Sequence, residues 1–426
     1  MKKIFFAFIF IFYTSTLFAQ LTANGVHKAY SNYPDIDLIY LFNGITNSTE
    51  IVYQGYASSI KLYRFDNLTT PIASYSFTNP MTAFASFSPD DATGYLLDVD
   101  SSFISIWVLD YQKYFPVFTS LTPENNPEMQ CNSLKLDLLA NVALMQYKSV
   151  KGKTYTMDRV FDFNYYSKEW SNGSWIDKTF NYPINLPNSA IYISNVPLID
   201  TKFSIVGDQF ARDLMIKPIP FIESPLYSAV AINCHLQSTS TVRTNDNEAD
   251  RPANPIPPTV SAPFEVFFQS NANKPLTSNF DWQFFKNNSI MFSRTDQDQR
   301  YTFVESGSYK VKLKVSNKYC SCSDSVSIRV TTSDLQVPYV FTPNGDGIND
   351  EFRVAYKSLI SFKCWIFNRW GQKVYTWTDP SKGWDGMFNG LPATPGAYYY
   401  IIEATGADGE NLNKKGNINL LRGKKK

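Results

Sequence analysis

Histidine is nearly missing from this chain: 426 residues contain two, His27 and His235. That removes most zinc hydrolases and leaves a histidine-based triad few candidates. Charge is also sparse. Charged residues make up 18%, and 39 Lys+Arg against 38 Asp+Glu give a net charge of +1, with no cation excess to wrap a phosphate backbone or coat an anionic bilayer. No nucleic-acid partner is expected. The common catalytic signatures are lacking too: no Gly-x-Ser-x-Gly elbow, no phosphate-cradling Gly-x-x-x-x-Gly-Lys and no His-Glu-x-x-His. Cys234 and His235 are adjacent, and successive strand residues point to opposite faces, so they form no ready nucleophile–base dyad. Paired carboxylates such as Asp98 and Asp100 could serve a glycosidase, the alternative of a hydrolase with its active site in residues 20–237, but two acids near a loop read first as turn formers. The chain is therefore expected to be no enzyme and to carry no cofactor.

Long apolar runs are scarce as well. Lys2-Lys3, the run Ile4–Tyr13, and Leu17 and Ala19 ahead of a cleavage before Gln20 read as a secretory signal peptide over residues 1–19. A membrane anchor would need about 20 continuous apolar residues, and Thr14, Ser15 and Thr16 interrupt the run. No cysteine follows the cleavage point, so a lipid anchor there is not expected. Five cysteines remain, Cys131, Cys234, Cys320, Cys322 and Cys364, an odd number that leaves at least one unpaired within the chain. Cys320 and Cys322 are one residue apart, too close for an easy bridge with each other. Ordinary thiols are expected, with a long-range bridge such as Cys131 to Cys234 as the alternative.

Aromatic residues are plentiful: 33 Phe, 27 Tyr and 8 Trp, a 16% share that suits pleated, half-buried surfaces. The expected fold class is all-β, with tandem immunoglobulin-like β-sandwich domains and a C-terminal β-sandwich domain. Over residues 20–120, short apolar runs such as Ile36–Phe42, Ile60–Phe65 and Phe103–Leu109 alternate with Asn, Asp, Gly and Pro, at strand lengths and sandwich spacing. A second β domain, or a continuation of the first, spans 121–237, with turn signals at Lys151-Gly152-Lys153 and Asn172-Gly173. Trp170 and Trp175 flank the latter turn and are candidates for a glycan platform, although aromatics in sandwiches are core more often than platform. Residues 238–261, with four prolines and almost no large apolar side chain, read as an extended linker or a long surface loop.

Beyond it, Tyr309, Val311, Leu313 and Val315 alternate with Lys310, Lys312 and Lys314, a strand with one wet face. Asp281-Trp282-Gln283-Phe284 supplies an earlier strand with a buried Trp candidate. Together with Tyr301-Thr302-Phe303, Val315-Ser316-Asn317 and Ser325–Val330, the segment 262–332 resembles the polycystic-kidney-disease-type immunoglobulin-like domain. Phe285-Lys286-Asn287-Asn288 stands where that family carries a Gly-Asp-Gly turn. The resemblance implies a spacer or adhesive module.

Residues 333–426 carry the most specific signal. In order come Phe341-Thr342-Pro343-Asn344-Gly345-Asp346-Gly347, with Asn349-Asp350; Asn368-Arg369-Trp370-Gly371; Trp384-Asp385-Gly386; Gly396-Ala397-Tyr398; and Gly416 through Arg422. This run resembles the gliding-motility-associated C-terminal domain, the type B sorting signal of the Bacteroidetes type IX secretion system. The resemblance implies a small sandwich read as a folded unit by the type IX translocon, a secreted protein held at the outer-membrane surface by a small barrel of the PorP/SprF type, and an adhesive or structural role, or a part in the attachment apparatus. A glycan or protein ligand is then left to the N-terminal half. Arg369 and Arg422 are candidates either for pairing with a receptor or for structural hydrogen bonds. Asn344, Asp346 and Asp350 form a calcium candidate, weakened because an EF-type register places Thr342 first and Arg353 twelfth, where carboxylates belong.

Overall fold

The computed structural model describes residues 20–186, 190–273 and 279–422. The leader expected over 1–19 lies outside them. Among the described residues the chain is almost entirely β, with a single five-residue α-helix, Gln209–Asp213. No described helix is long and apolar enough to cross a membrane.

The chain divides into two compact units. The first comprises the residues up to Asn125 together with Ser133–Ser167 and Asp177–Ser228. Its N-terminal part has a six-stranded sheet ordered His27–Tyr30, Leu38–Phe42, Ser102–Asp110, Thr93–Val99, Ser59–Arg64, Ala73–Ser76 and a three-stranded sheet of Gln20–Ala23, Ile51–Gly55 and Ala83–Phe87. Leu38–Phe42 runs parallel to Ser102–Asp110, the other pairings in this sheet being antiparallel. Alternation places Tyr40, Phe42, Ile51, Tyr53, Tyr95 and Val108 in one core. A further core joins Ile39, Trp107 and Tyr111 to Met145, Tyr147 and Phe210, so residues on either side of position 120 fold as a single unit.

One charged pair is sealed inside this unit. Asp208 is fully buried and accepts from Arg159 Nε at 2.6 Å, Tyr111 Oη at 2.8 Å and the Ala211 N–H at 2.8 Å. Arg159 is also sealed in, and donates to the carbonyls of Tyr114 and Ala143. Both carboxylate oxygens of Asp208 therefore find donors, as burial of a charge requires. The Tyr111 hydroxyl is pushed upward in pKa by burial and by the Asp208 charge.

The second unit comprises Asn126–Asn132, Lys168–Ile176 and Ala229 onward. It holds two sandwiches. In the first, Gln237–Ser240, Phe264–Gln269 and Gln299–Phe303 form one sheet, and Ser289–Arg294, Asn279–Lys286, Gly307–Ser316 and Ser321–Val330 the other. Trp282 is fully buried between them and its indole N–H donates to the Asp296 carbonyl at 3.0 Å. The alternation expected at Tyr309–Val315 is present, with Val311, Leu313 and Val315 inside and the three lysines outside.

Two expectations are corrected here. The cysteines are not free thiols: Cys131 bridges Cys320 and Cys234 bridges Cys322, leaving only Cys364, buried, unpaired. Cys320 and Cys322 take separate partners from distant segments, which the local spacing could not reveal. The stretch 238–261 is not an extended linker. Gln237–Ser240 pairs with Phe264–Gln269, Arg243 grips the buried Glu248 through Nη2 at 2.6 Å and Nε at 3.0 Å, and Val260 is fully buried. Lacking large apolar residues, the segment is held by polar groups instead. Asn247 Nδ2 donates to the Val354 carbonyl at 2.8 Å, the Ala249 N–H to the Tyr356 carbonyl at 2.9 Å, and the Ser358 N–H to Ser261 Oγ at 2.8 Å.

The terminal sandwich is built on a five-stranded sheet ordered Val340–Phe341, Lys414–Leu420, Gly396–Gly406, Leu359–Phe367, Lys373–Trp377. Val340–Phe341 runs parallel to the last strand, and the remaining pairings are antiparallel. Its core gathers Phe341, Phe352, Ile366, Trp384, Ile402 and Ile418.

Candidate functional site

The motif residues of the terminal module fall into two groups with different surroundings. One group interlocks. Trp384 is fully buried, its ring centroid 5.4 Å from Phe341 and 5.0 Å from Tyr398, and its N–H donates to the Met387 carbonyl at 2.8 Å. Tyr398 Oη donates to the Thr394 carbonyl at 2.8 Å. Asp385 accepts the Met387 N–H, closing the turn that carries the tryptophan. Gly386 has φ +76°, and a Cβ there would meet Leu420, Pro343 and Arg422 at 3.1–3.3 Å, so the turn needs glycine for both backbone and space. Arg422 Nη2 donates to the Gly386 carbonyl at 2.9 Å, which makes it a structural tie across three motif segments. At Gly416 a Cβ would lie 2.7 Å from the Tyr400 hydroxyl, whose ring crosses over from the neighbouring strand.

The Thr342–Asp350 segment is a self-satisfied turn. The Thr342 N–H donates to the Asn349 carbonyl, and Asp350 takes the N–H groups of Asn344, Gly345 and Gly347 at 2.7–2.9 Å. Those donors, Gly345 and Gly347 foremost, hold the Asp350 carboxyl below its ordinary range. Asp346 accepts from Asn344 Nδ2 and from the Ile348 N–H. At the calcium candidate Asn344, Asp346 and Asp350, the side-chain oxygens accept from donors within the turn itself, backbone N–H groups and the Asn344 amide. No group of three or more His, Cys, Asp or Glu among the described residues could hold a metal ion.

The second group is open to solvent. Asn368 Oδ1 accepts the N–H groups of Trp370 and Gln372, and Gly371, at φ +77°, lets the chain reverse. This turn presents Trp370 with 75% of its surface exposed, and the exposed Arg369 guanidinium lies 4.2 Å from the indole centroid. A groove of about 710 Å³ runs beside the pair, with Val374, Leu391, Gly396 and Tyr398 on its walls. Leu391 is itself 70% exposed. The roles left open for the two arginines thus separate: Arg422 binds backbone, and Arg369 faces solvent. Leu391 carried no motif signal; only its place on an exposed hairpin after Asn389-Gly390 marks it.

The remaining candidates resolve into structural contacts. Asp98 accepts the Ser101 N–H, and Asp100 accepts the N–H groups of Ser58 and Ser59, bonds that lower its pKa. The Trp170 ring is stacked on His235 at 4.6 Å and 10°, Trp175 meets Trp170 edge-on at 5.2 Å, and the Trp175 N–H donates to the Asn271 carbonyl at 3.1 Å. A face covered by histidine is not a free sugar platform. Asn172 and Gly173 have φ +49° and +80°, as a tight hairpin turn requires.

Two family models match parts of the chain. The model of the type IX secretion signal domain matches residues 335–420, and that of a fibronectin type III domain matches residues 123–221. No curated protein matches the chain. Solved structures that resemble it include a tetra-tandem repeat from the extending region of a large adhesion protein, at 12% identity and TM-score 0.22, covering 90% of this chain and 98% of that one. Others are Sidekick-1 immunoglobulin domains 1–5, at 10% identity and TM-score 0.25 over 87% and 78% of the two chains, and Dscam, at 12% and 0.21 over 95% and 100%. Residues 335–420 thus carry a type IX secretion signal domain, which marks the chain for handling by that export system.

Proposed function

We propose that this protein is a non-catalytic surface component, exported by the type IX system and then held at the outer membrane by a barrel of the PorP/SprF type, where its front sandwiches serve an adhesive or structural role. In this reading 262–332 is a spacer module like those of the polycystic-kidney-disease type. The observation that carries the proposal is the exposed Arg369–Trp370 pair beside a groove that also takes in the Gly396–Tyr398 motif segment and the exposed Leu391. An exposed tryptophan with a stacked arginine is the combination found at binding hot spots, since both bury large area at little conformational cost. The test is protease shaving of intact cells that express the full chain, with and without the barrel. Surface label retained on cells with the barrel and released to the medium without it is the expected result. Retention that ignores the barrel removes the anchoring part of the reading; accumulation in the periplasm of a competent host removes the export part.

A further inference from the structure

The wet face of the sheet that covers Trp282 holds an unused cationic row. Lys310, Lys312 and Lys314 stand on an inner strand at every second position, all exposed, so their Cβ atoms repeat about every 6.7 Å. Lysines that guard a sheet against edge pairing belong on the outermost strand. Here the outermost strand, Ser321–Val330, carries serines instead, in register with the lysines: Ser327 beside Lys310, Ser325 beside Lys312, Ser323 beside Lys314. On the other flank the partners are Phe285, Gln283 and Asp281. An acidic partner at each of these places would have stabilised the sheet, yet two of the three rows have none. Asp281 accepts from Gln283 Nε2 at 3.1 Å, and none of the three lysines has an ion pair among the described residues. A shallow trough of about 440 Å³ runs beside Lys312 and Lys314, with Ser323, Ser325, Gln283, Asp281 and Asp324 on its walls. Phe285 lies outside it, paired with Lys310, and Lys312 Nζ is 4.8 Å from its ring centroid.

We infer that this face binds an acidic polysaccharide lying along the lysine row. The ammonium groups meet its carboxylates or sulfates, the serine hydroxyls and the Gln283 amide meet its hydroxyls, and Phe285 offers one apolar ring for a sugar face. The trough is open and polar along its length, without the apolar side-chain pockets that anchor a bound peptide. An acidic peptide would instead add to the backbone edge of Ser321–Val330 short of Arg329, whose carbonyl already accepts the Val260 N–H.

The test is titration of the full chain with heparin and with polygalacturonate, using dextran as the neutral comparator and polyglutamate as the acidic peptide, at low and high salt. The test variant is Lys310→Ser/Lys312→Ser/Lys314→Ser, and the control with equal charge loss is Lys28→Ser/Lys61→Ser/Lys148→Ser. The acidic glycans should bind, dextran should not, high salt should weaken binding, and the test variant should bind at least about tenfold more weakly than the control, from three exposed charge contacts. Melting curves verify that both variants fold; if the triple variant does not, Lys312→Ser alone must still weaken binding. Equal binding by test and control variants, no binding of either acidic glycan, equal binding of dextran, or tighter binding of polyglutamate would each overturn the inference.

Discussion

Replacing Trp370 and Trp384 separately by alanine distinguishes recognition from folding. Trp384 is fully enclosed by Phe341, Tyr398 and the Arg422-tied turn, and its loss leaves both a cavity and an orphaned Met387 carbonyl. Such truncations cost about 3–5 kcal/mol, a large share of the roughly 5–15 kcal/mol that holds a domain together. Trp370 is 75% exposed, and its indole lies 4.2 Å from the Arg369 guanidinium. Its removal should change stability by no more than about 0.5–1 kcal/mol. The assay pairs a melting curve of the purified chain with protease shaving of a type IX-competent host. Trp384→Ala should melt early and fail to reach the surface. Trp370→Ala should melt like the parent and still be exported poorly, with Arg369→Ala showing a weaker form of the same defect. Full export of Trp370→Ala and of the double variant would refute the idea that this rim is read.

Three further outcomes follow from the packing. Asp208→Ala should destabilise the first unit by about 3–5 kcal/mol, because it leaves the Arg159 guanidinium buried without its counter-charge; urea unfolding measures it, and a change under about 1 kcal/mol would show the pair to be dispensable. His235 has its pKa lowered, first by burial, with Asp324 opposing. A neutral form favoured in the folded state contributes stability above the unfolded pKa of about 6.5 that fades as pH falls through the lower folded value. Tryptophan fluorescence and melting should therefore show the Trp170–His235 stack loosening toward acid pH, and His235→Phe should abolish that slope. Converting Cys234 and Cys322 to serine opens a closure of 88 residues, which chain entropy values at about 4–5 kcal/mol; calorimetry with and without reductant should register a matching loss in the parent and none in the variant beyond that of the other bridge.

What could be read in advance was whatever the chain writes locally. The alternation of Tyr309, Val311, Leu313 and Val315, the turn at Asn172-Gly173 and the buried Trp282 follow from periods and turn chemistry confined to a few residues. The missed features depend on partners far along the sequence. Trp170 has one face taken by His235, 65 positions later, and the two disulfides draw Cys131 to Cys320, just ahead of the strand Ser321–Val330, and Cys234 to Cys322 within it. The same holds for 238–261. Its composition promised no core, but Glu248 is held by Arg243 and the Asn247 amide donates to the backbone at Val354, and hydrogen bonds of that kind leave no hydrophobic signature. At the sorting module the motif was legible as a whole; which of its members point outward was not, since Arg369 and Arg422 look alike until the fold assigns one to carbonyls and the other to solvent.

The position of the last strand has a consequence for synthesis. Lys414–Leu420 is inserted between Val340–Phe341 and Gly396–Gly406, so Val340–Phe341 finds its partner in this sheet only once a strand more than seventy positions later has been made. Loss of residues 414–422 would leave Val340–Phe341 unpaired, open one edge of Gly396–Gly406, which would keep only Leu359–Phe367, and remove the Arg422 clasp on Gly386. The module thus closes on itself only when its first and last strands are both in place.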